Sequence, residues 1–284
     1  MQAVRDILFG VSIRELHGQT GDAVSQVCFD SRKANTDSIF VAVKGVTHDA
    51  HDFIPQVIAS GCKNIVCERI PSPNDDVNFI VVDNSAKALG IIASNFYNNP
   101  SKALKLVGVT GTNGKTTTAT LLYELFQSLG YSCGKITTVE NAIAGEVIPS
   151  THTTPDAVSL NALLASMRDA GCEYCFMEVS SHAVDQERIA GIHFTGAVFT
   201  NLTHDHLDYH KTFKEYLNAK KKFFDNLSSS AFSLTNRDDK NGLVMLQNTK
   251  SKQHTYALKS VADFKVKIIE NQIGGLVLNI DGAE

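Results

Sequence analysis

The stretch GVTGTNGKTT, residues 108–117, constrains the fold more than any other part of the chain. It lies between an apolar run, residues 104–109, and an amphipathic stretch, residues 115–129, that is closed by Gly130. A glycine loop in that setting turns successive backbone N–H groups toward a phosphate, and the N-terminus of the following helix adds its partial positive charge. Lys115 is placed to reach the outer phosphates and the Thr116 hydroxyl to bind magnesium. One departure matters: Val109 occupies the position where the general GxxxxGK[ST] pattern has glycine. The GKTT core remains, so the loop predicts a bound nucleoside triphosphate and leaves the reaction open.

The rest of the chain alternates strands with helices, which implies a mostly parallel sheet covered on both faces. Short β-branched runs at residues 39–43, 64–67 and 79–82 read as strands. Helices are expected over 52–60, with Gly61 as a stop, and over 86–97. The polar joint Asn98-Asn99-Pro100-Ser101 marks a boundary, giving an N-terminal domain over residues 1–99 and a central domain over 100–284. In the second domain Thr154 and Pro155 offer an N-cap and first-turn proline for a helix to Met167 that stops at Gly171. Strands follow at 174–179 and 197–200, then a helix over 212–227 and a strand at 231–234. The segment 274–280 reads as a strand in a polar meander, and a chain ending at Glu284 without a closing helix is expected to continue in a longer protein.

Composition narrows the partners. With 284 residues, 43% hydrophobic and 20% charged, the chain is long enough for two cores. A net charge of -4 provides no basic field for nucleic acid or an anionic membrane, and no apolar run approaches the ~20 residues of a membrane helix. A small-molecule ligand is the expected partner. The start, MQAVRDILFG, lacks the pattern of a secretory signal, and six scattered cysteines suit the reducing cytosol. Cys172 and Cys175 form a lone CxxC, expected to be packed thiols rather than a zinc or redox site.

Three further features bear on chemistry. Glu178 ends an apolar strand, at the edge where an open parallel sheet binds its ligand, and suits a magnesium ligand; the alternative is a solvated strand-end carboxylate. TNLTHDHLDYH, residues 200–210, has the histidine density of a zinc hydrolase, but the last histidine comes one residue late for the HxHxDH pattern. Only one or two of these groups are expected near a metal. Lys220 falls on the apolar stripe Phe213, Tyr216, Leu217, Phe223, Phe224 and Leu227. It either snorkels outward or is partly buried, and a buried neutral amine can react with carbon dioxide to give a carbamate.

GTNGKTT (111–117), MEVSSH (177–182) with Arg188 downstream, TNLTHDHLDYH and the segment 216–220 together resemble the Mur ligases over about residues 27–239. They are most similar to members that add the third residue, a diamino acid, to a UDP-muramoyl dipeptide. The resemblance implies an ATP-dependent amide ligase of peptidoglycan precursor synthesis, cytoplasmic and monomeric. It implies two magnesium ions and three small-molecule substrates: ATP, the UDP-muramoyl dipeptide and meso-diaminopimelate or L-lysine.

By the same resemblance Gly111, Thr112, Asn113, Gly114, Lys115, Thr116 and Thr117 hold ATP, with Asn236 and Asp239 on the adenine side. Phe29, Asp30, Ser31, Arg32, Val46, Thr47 and His48 surround the UDP. Thr153, Thr154, Ser180, Gln186 and Arg188 hold the dipeptide. Thr116, Glu178 and His206 are implied magnesium-site residues, and Lys220 the carbamoylated lysine; with Lys115, the last three carry the catalysis. Two departures are evident. Asp49-Ala50-His51 replaces the family's Asp-Gly-His, which puts a left-handed turn in doubt, and the final strand and helix of the central domain and the family's diamino-acid-recognising domain are not found in the sequence. A sister Mur ligase, a folylpolyglutamate synthase, a regulatory P-loop ATPase and a zinc hydrolase are the alternatives.

Overall fold

The computed structural model describes residues 1–45, 48–72, 74–150, 152–203, 207–272 and 275–282, with the backbone alone at 207 and 208. The chain forms two compact units. The first comprises Met1–Ala103, Pro155–Arg168 and Gln186–Ile192; the second comprises Leu104–Thr154, Asp169–Asp185 and His193–Glu284. Two segments that chain order assigns to the second domain therefore belong to the first unit.

The first unit is built on a five-stranded sheet in the order Ile13–His17, Asn78–Val82, Asn64–Cys67, Ser38–Val41, Gln26–Cys28. The first pair is antiparallel and the rest are parallel. Successive residues alternate faces. Ile39, Val41, Val66, Ile80 and Val82 pack with Ala88, Leu89 and Ile92 of helix Ser85–Phe96. Phe40, Ile65, Phe79 and Val81 pack with Ile54 and Val57 of helix Ile54–Ala59. Burial on both faces is why these strands are apolar without a period of two.

Ala157 joins the first of these cores, which explains why most of helix Ala157–Asp169 groups with this unit. Its cap is Asp156, not Thr154: Asp156 Oδ1 accepts from Val158 N at 3.0 Å and Ser159 N at 2.9 Å. Ala50 also corrects an expectation. It is not among the positive-φ residues; it opens the short 3-10 turn Ala50–Phe53, capped by Asp49, whose side chain accepts from His51 N at 3.0 Å. No glycine is required there.

The second unit is built on a ten-stranded sheet whose middle seven strands are parallel. Strand Lys105–Thr110 lies inside it, flanked by Tyr174–Glu178 and Gly196–Phe199. Antiparallel strands close both ends: Glu140–Ile143 with Glu146–Pro149 on one side, Gly275–Gly282 on the other. Val107 and Val109 pack against Ala119 and Tyr123 of helix Lys115–Ser128. Val109 is thus a core strand residue, and the glycine of the general pattern is not needed at that point.

Gly108 faces the other side, where a Cβ would come within 2.6 Å of Phe223 Cζ. Phe223 belongs to helix Phe213–Asp225, capped by Thr212, whose Oγ1 accepts from Glu215 N at 3.2 Å. That helix buries Tyr216, Lys220, Phe223 and Phe224.

Candidate nucleotide-binding site

Two glycines give the loop its shape. Gly111 has φ +150° and Gly114 φ +83°, conformations L side chains rarely adopt. A Cβ on Gly111 would also collide with Thr200 Oγ1. The loop is seated on the segment that follows strand Gly196–Phe199. Thr112 N donates to Asn201 O at 2.8 Å, Asn113 N donates to Asn201 Oδ1 at 3.0 Å, and Thr200 Oγ1 donates to Asn113 O at 2.7 Å. Thr112 Oγ1 accepts from Thr203 N at 3.0 Å and pairs with the Tyr216 hydroxyl at 3.1 Å. Thr200, Asn201 and Tyr216 were not foreseen in this role, because their partners lie about 90 or more residues away in sequence.

Two lysines converge on the loop. Lys115 Nζ donates to Gly111 O at 3.1 Å and Thr112 O at 2.8 Å. Lys220 Nζ donates to the same Gly111 O at 2.9 Å and lies 4.6 Å from the centroid of the Tyr216 ring. Lys220 is only 1% exposed, so it is buried and does not snorkel. Glu178, also 1% exposed, is buried rather than solvated. Its Oε1 accepts from Thr116 Oγ1 at 2.8 Å and from Thr138 N at 2.8 Å. A hydroxyl and a carboxylate oxygen side by side at the first turn of the P-loop helix are the oxygen donors a magnesium ion prefers, so the residues present fit that ion.

The residues that the resemblance assigns to the dipeptide fall into separate groups. Thr154 Oγ1 donates to Glu178 O at 2.8 Å and accepts from Ser180 N at 3.2 Å, while Thr153 Oγ1 accepts from Thr138 Oγ1 at 3.0 Å. Thr154 and Ser180 thus adjoin Glu178, and Thr153 is linked to it through Thr138. Gln186 and Arg188 belong to the other unit, where Gln186 Oε1 accepts from Arg188 Nε at 3.0 Å and Nη2 at 2.7 Å. Asn236 Nδ2 donates to Thr200 O at 2.9 Å and Asp239 Oδ2 accepts from Leu202 N at 2.8 Å, so both brace the segment that carries the loop. Thr117 is exposed in the first helical turn.

In the first unit Asp30 binds its neighbour Arg32 through Oδ1 to Nε at 2.8 Å and Oδ2 to Nη2 at 2.7 Å. The guanidinium hydrogen bond holds the Asp30 carboxyl at about 2. Ser31 opens the short turn Ser31–Lys33, and Phe29 is 37% exposed. His48 O accepts from Gly45 N at 2.8 Å. Val46, Thr47, His204, Asp205 and His206 lie outside the described residues. His210 is buried, with Nε2 2.9 Å from Ser181 Oγ.

Among the described residues no group of three or more histidine, cysteine, aspartate or glutamate side chains is arranged to hold a metal. Cys172 and Cys175 are free and buried, and burial pushes the Cys175 thiol well above the usual range. No described helix is long and apolar enough to cross a membrane.

Strand, glycine loop and helix, with a carboxylate at the end of the neighbouring parallel strand, define a P-loop nucleotide-binding domain. Its family follows from comparison. The Mur ligase middle domain matches residues 109–282, and the Mur ligase family catalytic domain matches residues 23–97. The chain belongs to the Mur ligase family.

Among curated relatives, the UDP-N-acetylmuramoyl-L-alanyl-D-glutamate–2,6-diaminopimelate ligase of Cytophaga hutchinsonii is 56% identical over 283 residues, covering 99% of this chain and 58% of that protein. The protein of the same name from Parabacteroides distasonis is 52% identical over 282 residues, with 99% and 58% covered. A solved structure of a ligase of that name superposes with a TM-score of 0.81 at 27% identity, covering 99% of this chain and 58% of that one. A Mycobacterium tuberculosis folylpolyglutamate synthase shares the fold, with a TM-score of 0.53 at 18% identity over 66% of this chain and 50% of its own. The chain thus spans about 58% of the length of these ligases.

Proposed function

We propose that the protein is an ATP-dependent amide ligase that adds 2,6-diaminopimelate to UDP-N-acetylmuramoyl-L-alanyl-D-glutamate in cytoplasmic peptidoglycan precursor synthesis. The observation that carries this reading is the convergence of Thr116, Glu178 and Lys220 on one phosphate loop. The names of the relatives at 56% and 52% identity support diaminopimelate over lysine.

In this reading a D-glutamyl carboxylate oxygen attacks the γ-phosphorus of ATP, the bond to the β,γ-bridging oxygen breaks, and ADP leaves. The amine of the diamino acid then attacks the acyl phosphate carbonyl, gives up a proton, and phosphate departs. Two anions must meet in the first step. Lys115 leaves the Gly111 and Thr112 carbonyls for the outer phosphates, and the loop N–H groups orient the triphosphate. Magnesium, when bound, offsets charge on the phosphates; Thr116 and Glu178 would hold it, together with the family's His206 and Lys220. Lys220 takes that role as a carbamate: its neutral Nζ lone pair bonds to the carbon of dissolved carbon dioxide, a C=O π pair moves to oxygen, and Nζ loses a proton to water.

The muramoyl dipeptide is assigned to Thr153, Thr154, Ser180, Gln186 and Arg188, the UDP to the region of Phe29, Ser31 and residues 46–48, and adenine to Asn236 and Asp239. The chain alone is expected to bind these substrates without forming product, since its relatives are longer. The test is an acceptor screen on the protein as encoded. ATP hydrolysis dependent on the UDP-muramoyl dipeptide, with an amide product from diaminopimelate, supports the proposal. Dipeptide-independent hydrolysis, or turnover with a folate acceptor, overturns it.

A further inference from the structure

Thr110 is the last residue of strand Lys105–Thr110 and is fully buried, yet among the described residues its Oγ1 has no hydrogen-bond partner. Its carbonyl is satisfied, since Thr110 O accepts from Thr200 N at 3.0 Å. Only the hydroxyl is orphaned. A buried hydroxyl without a partner carries a desolvation cost that valine, of nearly the same shape, would avoid.

The strand's pleat shows which way the hydroxyl's side chain leaves the sheet. Val107 and Val109 face the P-loop helix, while Gly108 faces Phe223. Thr110, two residues beyond Gly108, shares its side and therefore looks toward helix Phe213–Asp225. Lys220 lies one turn before Phe223 on that helix, and its Nζ reaches Gly111 O, the carbonyl next in sequence to Thr110, at 2.9 Å. A buried donor lacking an acceptor thus stands on the side of the sheet that faces the Lys220 helix, one residue before the carbonyl to which the buried amine donates.

We infer that Thr110 is a positioning residue for Lys220: its hydroxyl donates to a carboxylate oxygen formed when Lys220 is carbamoylated. Carbamoylation replaces a donor with a planar group bearing two acceptor oxygens, which supplies the missing partner. The inference rests on the carbamate reading above. A hydrogen bond to a charged oxygen shifts such an equilibrium about 10- to 100-fold.

The experiment uses this chain and 13C-labelled bicarbonate. The carbamate resonance is titrated by NMR in wild type, Thr110→Val, Thr110→Ala and Thr110→Ser, with Lys220→Met to assign the signal. Wild type and Thr110→Ser should reach half-occupancy at similar bicarbonate concentrations. Thr110→Val and Thr110→Ala should need about 10- to 100-fold more. In carbon dioxide-free buffer Thr110→Val should resist urea at least as well as wild type, because it loses no hydrogen bond.

An unchanged titration in Thr110→Val and Thr110→Ala overturns the role of Thr110 and leaves the carbamate standing. Absence of a Lys220-dependent resonance in wild type overturns both. Lower stability of Thr110→Val without carbon dioxide also counts against the inference, since it would reveal a structural partner for the hydroxyl. If Thr110→Val does not fold, the comparison of Thr110→Ala with Thr110→Ser decides.

Discussion

Removing the Tyr216 hydroxyl should loosen the phosphate loop, and the size of the effect follows from the contacts. Tyr216 is fully buried, its OH lies 3.1 Å from Thr112 Oγ1, and its ring lies below Lys220 Nζ at 4.6 Å. Tyr216→Phe keeps the ring and deletes one neutral hydrogen bond, a loss of about 0.5–1.5 kcal/mol. Thr112→Val deletes that bond and also the acceptor of Thr203 N at 3.0 Å. Its cost should be larger, about 1–3 kcal/mol. Because the two side chains share a bond, Tyr216→Phe should cost less in the Thr112→Val background than in wild type, by about 0.5–1.5 kcal/mol. Urea unfolding of the four proteins at a common m-value measures this coupling. Additivity within about 0.3 kcal/mol would mean that the pair does not hold the loop.

Gly111→Ala should destabilise the second unit by about 1–3 kcal/mol and remove nucleotide binding, because the added Cβ meets Thr200 Oγ1 at a backbone of φ +150°; a melting curve and an ATP titration check both. Acid should weaken the first unit through Asp49. Burial pushes its carboxyl up, but hydrogen bonds from His51 and Arg69 outweigh that and hold it at about 2, against an ordinary 3.8. The stabilisation is present above about 3.8 and is lost as pH falls through about 2, so Asp49→Asn should flatten the stability profile between those values. In the protein as encoded, Lys220→Ala and Lys220→Arg should each lose most ligase activity. A short carboxylic acid should rescue the alanine variant, and near-normal turnover without rescue would count against the carbamate.

The parallel strands were legible because burial on both faces leaves apolar runs, as at Asn64–Cys67 and Asn78–Val82. The hairpin Glu140–Ile143 to Glu146–Pro149 was not. Its turn uses Ala144 at φ +49° and Gly145 at φ +93°, without the Asn-Gly signal that usually marks such turns. Strand Lys252–Ala257 was hidden by its polar, partly exposed composition. At the site, the position of Lys220 on an apolar stripe raised the question of burial, but its partner Gly111 O lies 109 residues away and no local pattern specifies it. Thr154 has the form of a helix cap because proline follows it. Asp156, two residues on, takes the cap, which leaves the threonine hydroxyl to tie Glu178 O to Ser180 N.

If the site activates a carboxylate by phosphoryl transfer, a carboxylate oxygen must leave with the phosphate. The measurement supplies the protein as encoded with ATP, diaminopimelate and a UDP-muramoyl dipeptide labelled with 18O in the D-glutamyl carboxylate that is to be joined. An acyl phosphate route moves one labelled oxygen into the released phosphate for each amide formed. Unlabelled phosphate accompanying amide formation, or phosphate released at the same rate without the dipeptide, would rule out an acyl phosphate.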